Sequence, residues 1–397
     1  MKKHFKILYC SALAGSLLFS AACSEAEVQP VEQVLEITVK EVSATSFKAE
    51  VTPTDTASTY YVGIIRADRF TDDGCLKLYD MQQFEEEAGD SGSALSEVIG
   101  SHLSKGAVTK EFNGLYPGLS YYVYAYYLDS DGYAKTPVDK EQCSMEGHGD
   151  FEIGDYYLAD GTVLHRADLT DERKAHVVGV IFFKGNPAAE GHDSTLGAEH
   201  PYCVNGLAVA LDTLYSVWSR NGGKFVNDWV KEDGRFMGVT GMSDDSKGED
   251  ISQAYNYIRG YNNTRAYEAY NVEASDFDRV CIMDVIAAYR DTVALPGNTS
   301  GWYLPSVKEV SLMTTGTFDN DLWDSNASSG PVPVAAPIIN ESFKQLGKVE
   351  IARFDNFSTS TEHSDIMAFS LFYNDSGCSC SGVNKVDNSL VRPVFAF

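Results

Sequence analysis

Three short patterns follow one another in the last hundred residues, and they constrain the fold more than any other part of the chain. The first runs from Gly301 to Ser306 and leads to Glu309, the second occupies 357–362, and the third is the terminal segment 390–397. Ser306 with Glu309 matches a capping box, so a helix is expected to begin after Ser306. The terminal segment is apolar and aromatic, which predicts one strand placed centrally in a sheet.

Five residues of these patterns are predicted to hold the protein core together: Trp302, Leu304, Pro305, Glu362 and Arg392. Trp302 and Leu304 belong to an extended piece that Pro305 ends. Arg392 lies in an otherwise apolar strand, so its charge is predicted to pair with a buried carboxylate. Glu362 is the candidate for that pairing, which gives both residues a structural role.

The first residues of the chain predict export. A basic start at 2–6 precedes an apolar stretch, 7–19, that is too short to cross a membrane. The small residues 20–22 then precede Cys23, which resembles a bacterial lipobox. Residues 1–22 are therefore expected to be a lipoprotein signal peptide, with lipid attached to Cys23. The alternative is an ordinary secretory signal followed by an incidental cysteine.

Residues 23–33 are polar and are predicted to be a tether. The acidic run that begins at Ser24 resembles the surface-export signal of Bacteroidota lipoproteins. That resemblance implies a lipid-anchored protein on the outer face of the outer membrane rather than in the periplasm.

Composition limits both the architecture and the partners. The chain has 397 residues, enough for two or three domains, and its 44% hydrophobic content is globular. The formal net charge is −26, which argues against nucleic acid as a partner. No nucleophile motif, phosphate loop or metal-binding signature is present, so a non-enzymatic protein without a cofactor is expected. Calcium remains possible through acidic loops, although no calcium motif supports it.

Six cysteines remain after the signal and Cys23, and an exported chain allows them to form disulfides: Cys75, Cys143, Cys203, Cys281, Cys378 and Cys380. Cys75 and Cys143 fall in the first predicted domain, and the other four fall in the second. Three pairings are open within that quartet. A bond between Cys378 and Cys380 is disfavoured because a single residue separates them. A zinc site is the alternative, which this spacing does not favour.

Residues 34–146 predict a β domain with a helical insertion. Alternating apolar and polar residues indicate strands at 35–39 and 47–51, whereas 76–103 show helical spacing. Leu115, the turn at 117–118 and the following tyrosines resemble the corner between the fifth and sixth strands of fibronectin type III domains. The resemblance implies a β-sandwich in which Tyr121 or Tyr122 bonds back to the backbone.

Residues 150–397 predict an α+β domain, with strands at 177–183 and 207–211 and helices at 251–270 and 276–290, the second capped by Ser275 and burying Phe277. Several segments, together with the three C-terminal patterns, resemble the Fibrobacter succinogenes major paralogous domain family and the C-terminal domain of the Legionella collagen-like adhesin. The resemblance implies a C-type lectin-like fold. Ser358 replaces a tryptophan usual in that family, and the calcium-binding tripeptides of such lectins are absent.

Long loops of this second domain are the predicted binding surface. Six residues offer amide, carboxylate or aromatic groups suited to a sugar: Tyr373, Asn374, Asp375, Asn384, Asp387 and Asn388. The fold class and these loops together predict a surface adhesin that binds glycan or glycoprotein on host or neighbouring cells. The alternative is a structural, tip or accessory subunit of a pilus-like assembly, for which protein partners matter more.

Overall fold

The computed structural model describes residues 34–221, 224–239, 257–318, 332–351, 356–374 and 377–397. The signal peptide, the tether and Cys23 lie outside the described residues, so their predictions stay predictions. Among the described residues, no helix combines the length and the apolar character needed to cross a membrane.

The strands within the described ranges are β1 (Leu35–Lys40), β2 (Ser46–Pro53), β3 (Thr59–Arg66), β4 (Leu103–Lys105), β5 (Val108–Asn113), β6 (Ser120–Tyr127), β7 (Asp139–Ser144), β8 (Tyr156–Leu158), β9 (Val163–Leu164), β10 (Val177–Lys184), β11 (Gly206–Ala210), β12 (Leu214–Val217), β13 (Phe357–Glu362), β14 (Met367–Asn374), β15 (Gly377–Asn384), β16 (Asn388–Val391) and β17 (Val394–Ala396). The helices there are α1 (Asp73–Ser91), α2 (Leu95–His102), α3 (Asp171–Lys174), α4 (Pro187–Glu190), α5 (Ser194–Glu199), α6 (Val226–Asp233), α7 (Gly260–Glu273), α8 (Ile282–Thr292), α9 (Val307–Thr315) and α10 (Ala335–Gln345). Short 3-10 turns occupy Ala67–Arg69 and Arg166–Asp168.

Strands β1 to β7 form two antiparallel sheets that share one core, here called the N-terminal sandwich. The strand orders are β1-β2-β5 and β4-β3-β6-β7. Phe47 and Val51 of the first sheet belong to the same buried cluster as Tyr60 and Val123 of the second. Because alternate residues of a strand point to opposite faces, the alternation seen in β1 and β2 places one face of each inward.

A corner of the N-terminal sandwich is fixed by a tyrosine hydroxyl. The backbone N–H of Tyr116 donates to the Tyr121 hydroxyl at 3.1 Å, while Leu115 is buried beside it. The prediction that Tyr121 or Tyr122 bonds back to the backbone is confirmed for Tyr121.

The predicted helical insertion is present as α1 and α2, with α1 ending at Gly92 in the left-handed conformation. Asp80 of α1 is only 2% exposed and faces the sheet. Its carboxylate accepts hydrogen bonds from the hydroxyls of Tyr124 (2.6 Å) and Tyr126 (3.1 Å) on β6. Burial raises the pKa of Asp80 to about 6, and the two tyrosine hydrogen bonds oppose that shift.

Two five-stranded sheets make up the larger C-terminal region, in the orders β17-β11-β10-β8-β9 and β12-β16-β13-β14-β15. Helix α9 packs against β10 of the first sheet and against β13, β14 and β15 of the second. All nine residues of α9 are buried. The predicted capping box of Ser306 and Glu309 begins this helix, so the first sequence pattern sets up the central helix of the region.

The terminal segment differs from its prediction as a single central strand. Its first part is β16 of one sheet, and its second part is β17 at the edge of the other. Pro393 separates the two because proline has no N–H for a strand ladder. The carbonyl of Pro393 accepts from Ala210 N at 2.8 Å, which leads the chain into pairing with β11.

The two predicted helices of the second domain are shorter than expected. Helix α7 begins at Gly260, and part of the predicted 251–270 lies outside the described residues. Helix α8 begins at Ile282 rather than at 276. Ser275 accepts from Asp278 N within a turn, and Phe277 is 62% exposed, so neither residue has its predicted role.

Candidate functional site: a groove beside strand β12

The six residues predicted to bind a sugar fall into two groups, Tyr373, Asn374 and Asp375, and Asn384, Asp387 and Asn388. The hairpin of β14 and β15 separates the groups, because Tyr373 pairs with Cys378 at one end and Met367 pairs with Asn384 at the other. Six residues along a strand span about 20 Å. Asp375 lies outside the described residues, and the two groups do not form one site.

Tyr373 is also buried, which contradicts its predicted role as a stacking face. It is 4% exposed, and its hydroxyl donates to the Ile351 carbonyl at 2.5 Å. The Asn340 side-chain amide donates to the same hydroxyl at 3.3 Å. Asn384 and Asp387 are exposed at the far end, where Asp387 N donates to Asn384 O at 3.0 Å in a turn.

Arg392 does not pair with Glu362, so that prediction was wrong. Its guanidinium donates to the carbonyls of Val349 (2.5 Å) and Glu350 (2.9 Å) and lies over the Phe343 ring. Burial lowers the pKa of Arg392 to about 10, and the negative charge of Asp212 opposes that shift.

The pairing fails for a reason of register. Phe357 lies opposite Leu390 in the parallel pair of β13 and β16, which places Arg392 near the beginning of β13 and Glu362 at its end. Three further residues along the strand separate the two charges by about 10 Å.

Lys385 is the cation that pairs with Glu362. Both side chains are fully buried, with Nζ and Oε1 2.5 Å apart. Lys385 also donates to the carbonyls of Lys224 and Asp365, so each ammonium proton has an acceptor. The Glu362 carboxylate accepts from the first N–H groups of α6, Val226 (2.9 Å) and Asn227 (2.8 Å).

The two groups shift each other's ionisation in opposite directions. Burial raises the pKa of Glu362 and the Lys385 charge opposes that rise. Burial likewise lowers the pKa of Lys385 and the Glu362 charge opposes that fall. The pair therefore joins α6, β13 and the turn after β15.

The remaining motif residues are internal as well. Trp302 is 1% exposed and its indole N–H donates to the Val293 carbonyl at 2.8 Å. Leu304 N donates to the Thr264 hydroxyl at 3.0 Å, and the Pro305 carbonyl accepts from Ser360 N at 2.8 Å. These contacts place the motif against α7 and β13 and leave it no open surface.

The predicted disulfides do not form among the residues that the structure describes. Cys203 contacts the Asn298 carbonyl, whereas Cys378 and Cys380 lie two residues apart on β15. Burial raises the pKa of the Cys203 thiol, which favours the inert protonated form. The described residues also contain no cluster of histidine, cysteine and acidic side chains that could hold a metal ion.

An open groove of about 360 Å³ lies beside β12, and it is the candidate functional site. Its lining comes from the loop before β12, the connection after α10 and three strands, β12, β13 and β16: Leu211, Asp212, Thr213, Tyr215, Gly347, Lys348, Val349, Glu350, Phe357 and Leu390. Strand β12 is the edge of its sheet and pairs with β16, with no second strand neighbour among the described residues.

Two large apolar side chains stand exposed in this groove. Tyr215 is 70% exposed and Val349 is 69% exposed, while Leu390 and Phe357 belong to the buried core beneath. The groove therefore has a buried apolar floor and two exposed apolar side chains at its walls.

Charges at the groove rim are balanced in pairs. Lys348 lies 2.9 Å from Asp212, and Lys344 lies 3.6 Å from Glu350. The side chains that line the groove include neither a histidine nor a cysteine. The paired charges give the groove a rim of mixed polarity beside its apolar side chains.

Sequence reasoning missed this groove. Its residues come from four places in the chain, 211–215, 347–350, Phe357 and Leu390, that only the fold brings together. The one local signal was Tyr215 in a short run of β-forming residues, which cannot show by itself which face a strand exposes.

No protein-family model matches the chain. An alignment that is 194 positions long and covers 45% of the chain shows 27% identity to a Bacteroides ovatus protein named "Putative fimbrium tip subunit Fim1C". The match spans 35% of that protein, about a third of its length. A crystal structure of a fimbrial protein from Bacteroides ovatus superposes with a TM-score of 0.51 at 20% identity, covering 73% of this chain and 59% of the other.

These similarities correct the assignment drawn from the sequence patterns. The chain is a multidomain protein of mainly β structure with helices, and its fold matches that of a fimbrial protein. The resemblance to the Fibrobacter and Legionella families and the C-type lectin-like fold were wrong. The glycan-binding adhesin inferred from them was wrong as well, and nothing in the comparisons supports a glycan partner.

Proposed function

We propose that this chain is a structural, tip or accessory subunit of a fimbria-like assembly on the cell surface, with other subunits as its partners. The observation that carries the proposal is the similarity over 45% of the chain to a protein named as a fimbrium tip subunit. The fold shared with a fimbrial protein supports it. The chain spans only about a third of the relative's length, so the location and the partners are part of the proposal.

The groove beside β12 is the surface at which we place the neighbouring subunit. Tyr215 and Val349 expose apolar area that contact with another protein would remove from water, at about 25 cal/mol per Å². The paired rim charges at Asp212 and Lys348 give that contact a polar border. We assign the protein no catalytic role.

The two regions of the chain have different roles in this proposal. We infer that residues 34–146 form a fibronectin type III-like spacer, supported by the sheets of three and four strands and by the Tyr121 corner. Residues 150–397 then carry the contact groove. Cys23 would hold the chain at the outer membrane by its lipid, as the lipobox resemblance implies.

The first experiment tests membership of an assembly. A tagged chain expressed in its own bacterium is expected in the sheared surface fraction, together with further fimbrial subunits, and on filaments in immunogold images. Absence of the wild-type chain from that fraction and from filaments would refute the proposed function.

A separate experiment measures palmitate labelling, which the Cys23→Ala change is expected to abolish. Persistent labelling would exclude the lipid anchor.

The second experiment tests the groove separately. The double change Tyr215→Ser with Val349→Ser is expected to remove the chain from sheared filaments without lowering its amount in cells. A matched control changes Tyr133, which is 71% exposed, and Val272, which is 84% exposed, to serine at sites away from the groove. If the groove variant stays on filaments like the control, the groove is not the contact, while the subunit function stands.

A further inference from the structure

A chain of contacting polar side chains begins where the N-terminal sandwich touches the C-terminal region. Arg66, the last residue of β3, donates to the Gly297 carbonyl at 2.9 Å and lies over the Tyr202 ring, 5.0 Å from its centroid. Tyr202 also packs against the core of the N-terminal sandwich. These contacts are here called the Arg66 junction.

His200 lies directly behind this junction. Its Nδ1 is 3.0 Å from the Tyr202 hydroxyl, and its Nε2 is 2.8 Å from the Tyr261 hydroxyl. Tyr261 donates to the Glu199 carboxylate at 2.6 Å. The imidazole is therefore the middle member of a chain that runs from Arg66 to Glu199.

The direction of each hydrogen bond follows from its carboxylate end. An ionised carboxylate only accepts, so Tyr261 donates to Glu199 and its oxygen accepts from His200 Nε2–H. In the neutral imidazole the other nitrogen, Nδ1, must then accept from the Tyr202 hydroxyl. With its proton directed at His200, Tyr202 leaves its oxygen lone pairs available to interact with the Arg66 guanidinium, which lies over its ring.

We propose that the Arg66 junction is a pH-sensitive joint, closed while His200 is neutral and loosened when that imidazole takes up a second proton. The added proton occupies Nδ1 and makes it a donor, so the Tyr202 oxygen must accept from His200. The Tyr202 proton is then displaced toward the Arg66 cation, which weakens the contact between the two regions.

The surrounding charges act in the same direction. Arg265 of α7 faces the imidazole from the C-terminal region, and Arg66 and Arg69 face it from the N-terminal sandwich. Glu199 is the carboxylate that opposes them. Because His200 and Arg265 both belong to the C-terminal region, the repulsion that is relieved when the N-terminal sandwich moves away is that of Arg66 and Arg69.

The sign of the pH dependence follows from the protonation state. Burial lowers the pKa of His200 below its ordinary 6.5, the three arginines add to that effect and Glu199 opposes it. The closed junction therefore binds fewer protons than the open one. Its stabilisation is complete above pH 6.5 and is lost as the pH falls through the lowered pKa.

Hydrogen exchange on the purified full chain tests the joint. After correction for chemical exchange rates, the backbone near Arg66 and Gly297 is expected to lose protection as the pH falls from 7.5 to 5. The midpoint should coincide with the His200 titration seen by proton NMR. Protection that does not change with pH, or that changes with a different midpoint, overturns the proposal.

Two variants separate titration from structure. His200→Gln keeps one donor and one acceptor but cannot titrate, so the pH dependence of protection is expected to disappear; its persistence would overturn the proposal. Arg66→Gln removes the cation from the other region, and protection is then expected to be low at every pH. The control is His165→Gln, which changes a half-exposed histidine beside Asp155 and should leave the wild-type response intact.

Discussion

Two buried carboxylates, one in each region of the molecule, are stabilised by different partners. Asp80 of the N-terminal sandwich accepts hydrogen bonds from two neutral hydroxyls, those of Tyr124 and Tyr126. Glu362 of the C-terminal region accepts hydrogen bonds from the Lys385 ammonium group and from two backbone N–H groups at the beginning of α6. Both carboxylates are almost completely removed from water.

The difference determines how the stabilising contribution of each carboxylate depends on pH. A hydroxyl donates a hydrogen bond without supplying charge, so Asp80 keeps a pKa of about 6, close to neutral pH. Lys385 supplies a full charge to Glu362, and the two ions offset each other's burial. The attachment of α1 is therefore adjustable by pH, whereas the attachment of α6 depends on an ion pair remaining complete.

The largest effect is expected from Lys385→Met. This change leaves Glu362 buried without its cation, and it should lower the free energy of unfolding by about 3–5 kcal/mol. Urea unfolding followed by tryptophan fluorescence measures it, with Lys348→Met as the control because that lysine pairs with Asp212 at the surface. Adding Glu362→Gln should recover part of the loss. Equal losses in the Lys385 variant and the control would show that the buried pair is unimportant.

A smaller loss is expected from Tyr124→Phe. The Tyr124 hydroxyl donates to Asp80 at 2.6 Å, and a hydrogen bond to a charged group contributes about 1.5–3 kcal/mol. Hydrogen exchange of α1 measures the loss at pH 8, where Asp80 is ionised. Tyr79→Phe, on the exposed side of the same helix, is the control. If the two variants behave alike, the hydroxyl contributes nothing to holding α1.

The pH response of Asp80 is the third test. Its pKa is raised from 3.8 to about 6, so its stabilising contribution is complete below pH 3.8 and is lost as the pH rises through 6. Between pH 5 and 8 the free energy needed to open α1 in the wild-type chain should fall by on the order of 1–2 kcal/mol. Asp80→Asn should remove that dependence. A variant that retains the wild-type slope would assign the dependence to another group.

The smallest effect is expected from Asp365→Asn. Lys385 contacts the backbone carbonyl of Asp365, not its exposed carboxylate. Replacing that side chain should therefore change the free energy of unfolding by less than about 0.5 kcal/mol. Denaturant titration of this variant and of the Lys385→Met variant under the same conditions compares the two losses of unfolding free energy. A loss above 1 kcal/mol would mean that the Lys385 site depends on surface charge as well as on Glu362.

Local features of the fold were predictable because neighbouring residues create them. The capping box of Ser306 and Glu309, the paired helices of the insertion and the Tyr121 corner all depend on contacts between residues close in sequence. The terminal segment was less predictable. Its composition indicated a strand, but its division between two sheets at Pro393 depends on partners elsewhere in the chain.

The candidate site was hardly predictable at all. The amide-rich loops suggested a sugar site, yet the β14–β15 register places its two halves at opposite ends of a hairpin. The groove that the fold does form joins Tyr215 to Val349, more than a hundred residues apart, and no local pattern connects them. Its exposed side chains resembled ordinary strand residues in the sequence.

The sequence by itself determined the local elements, the burial of Trp302 and Leu304, and the strongly acidic balance of the chain. The tertiary structure alone decided which charges meet. It paired Glu362 with Lys385, gave Arg392 backbone carbonyls in place of a carboxylate, and buried Tyr373. The physical reason is that helix spacing and capping act over a few residues, whereas the partner of a buried charge is set by strand register and sheet order.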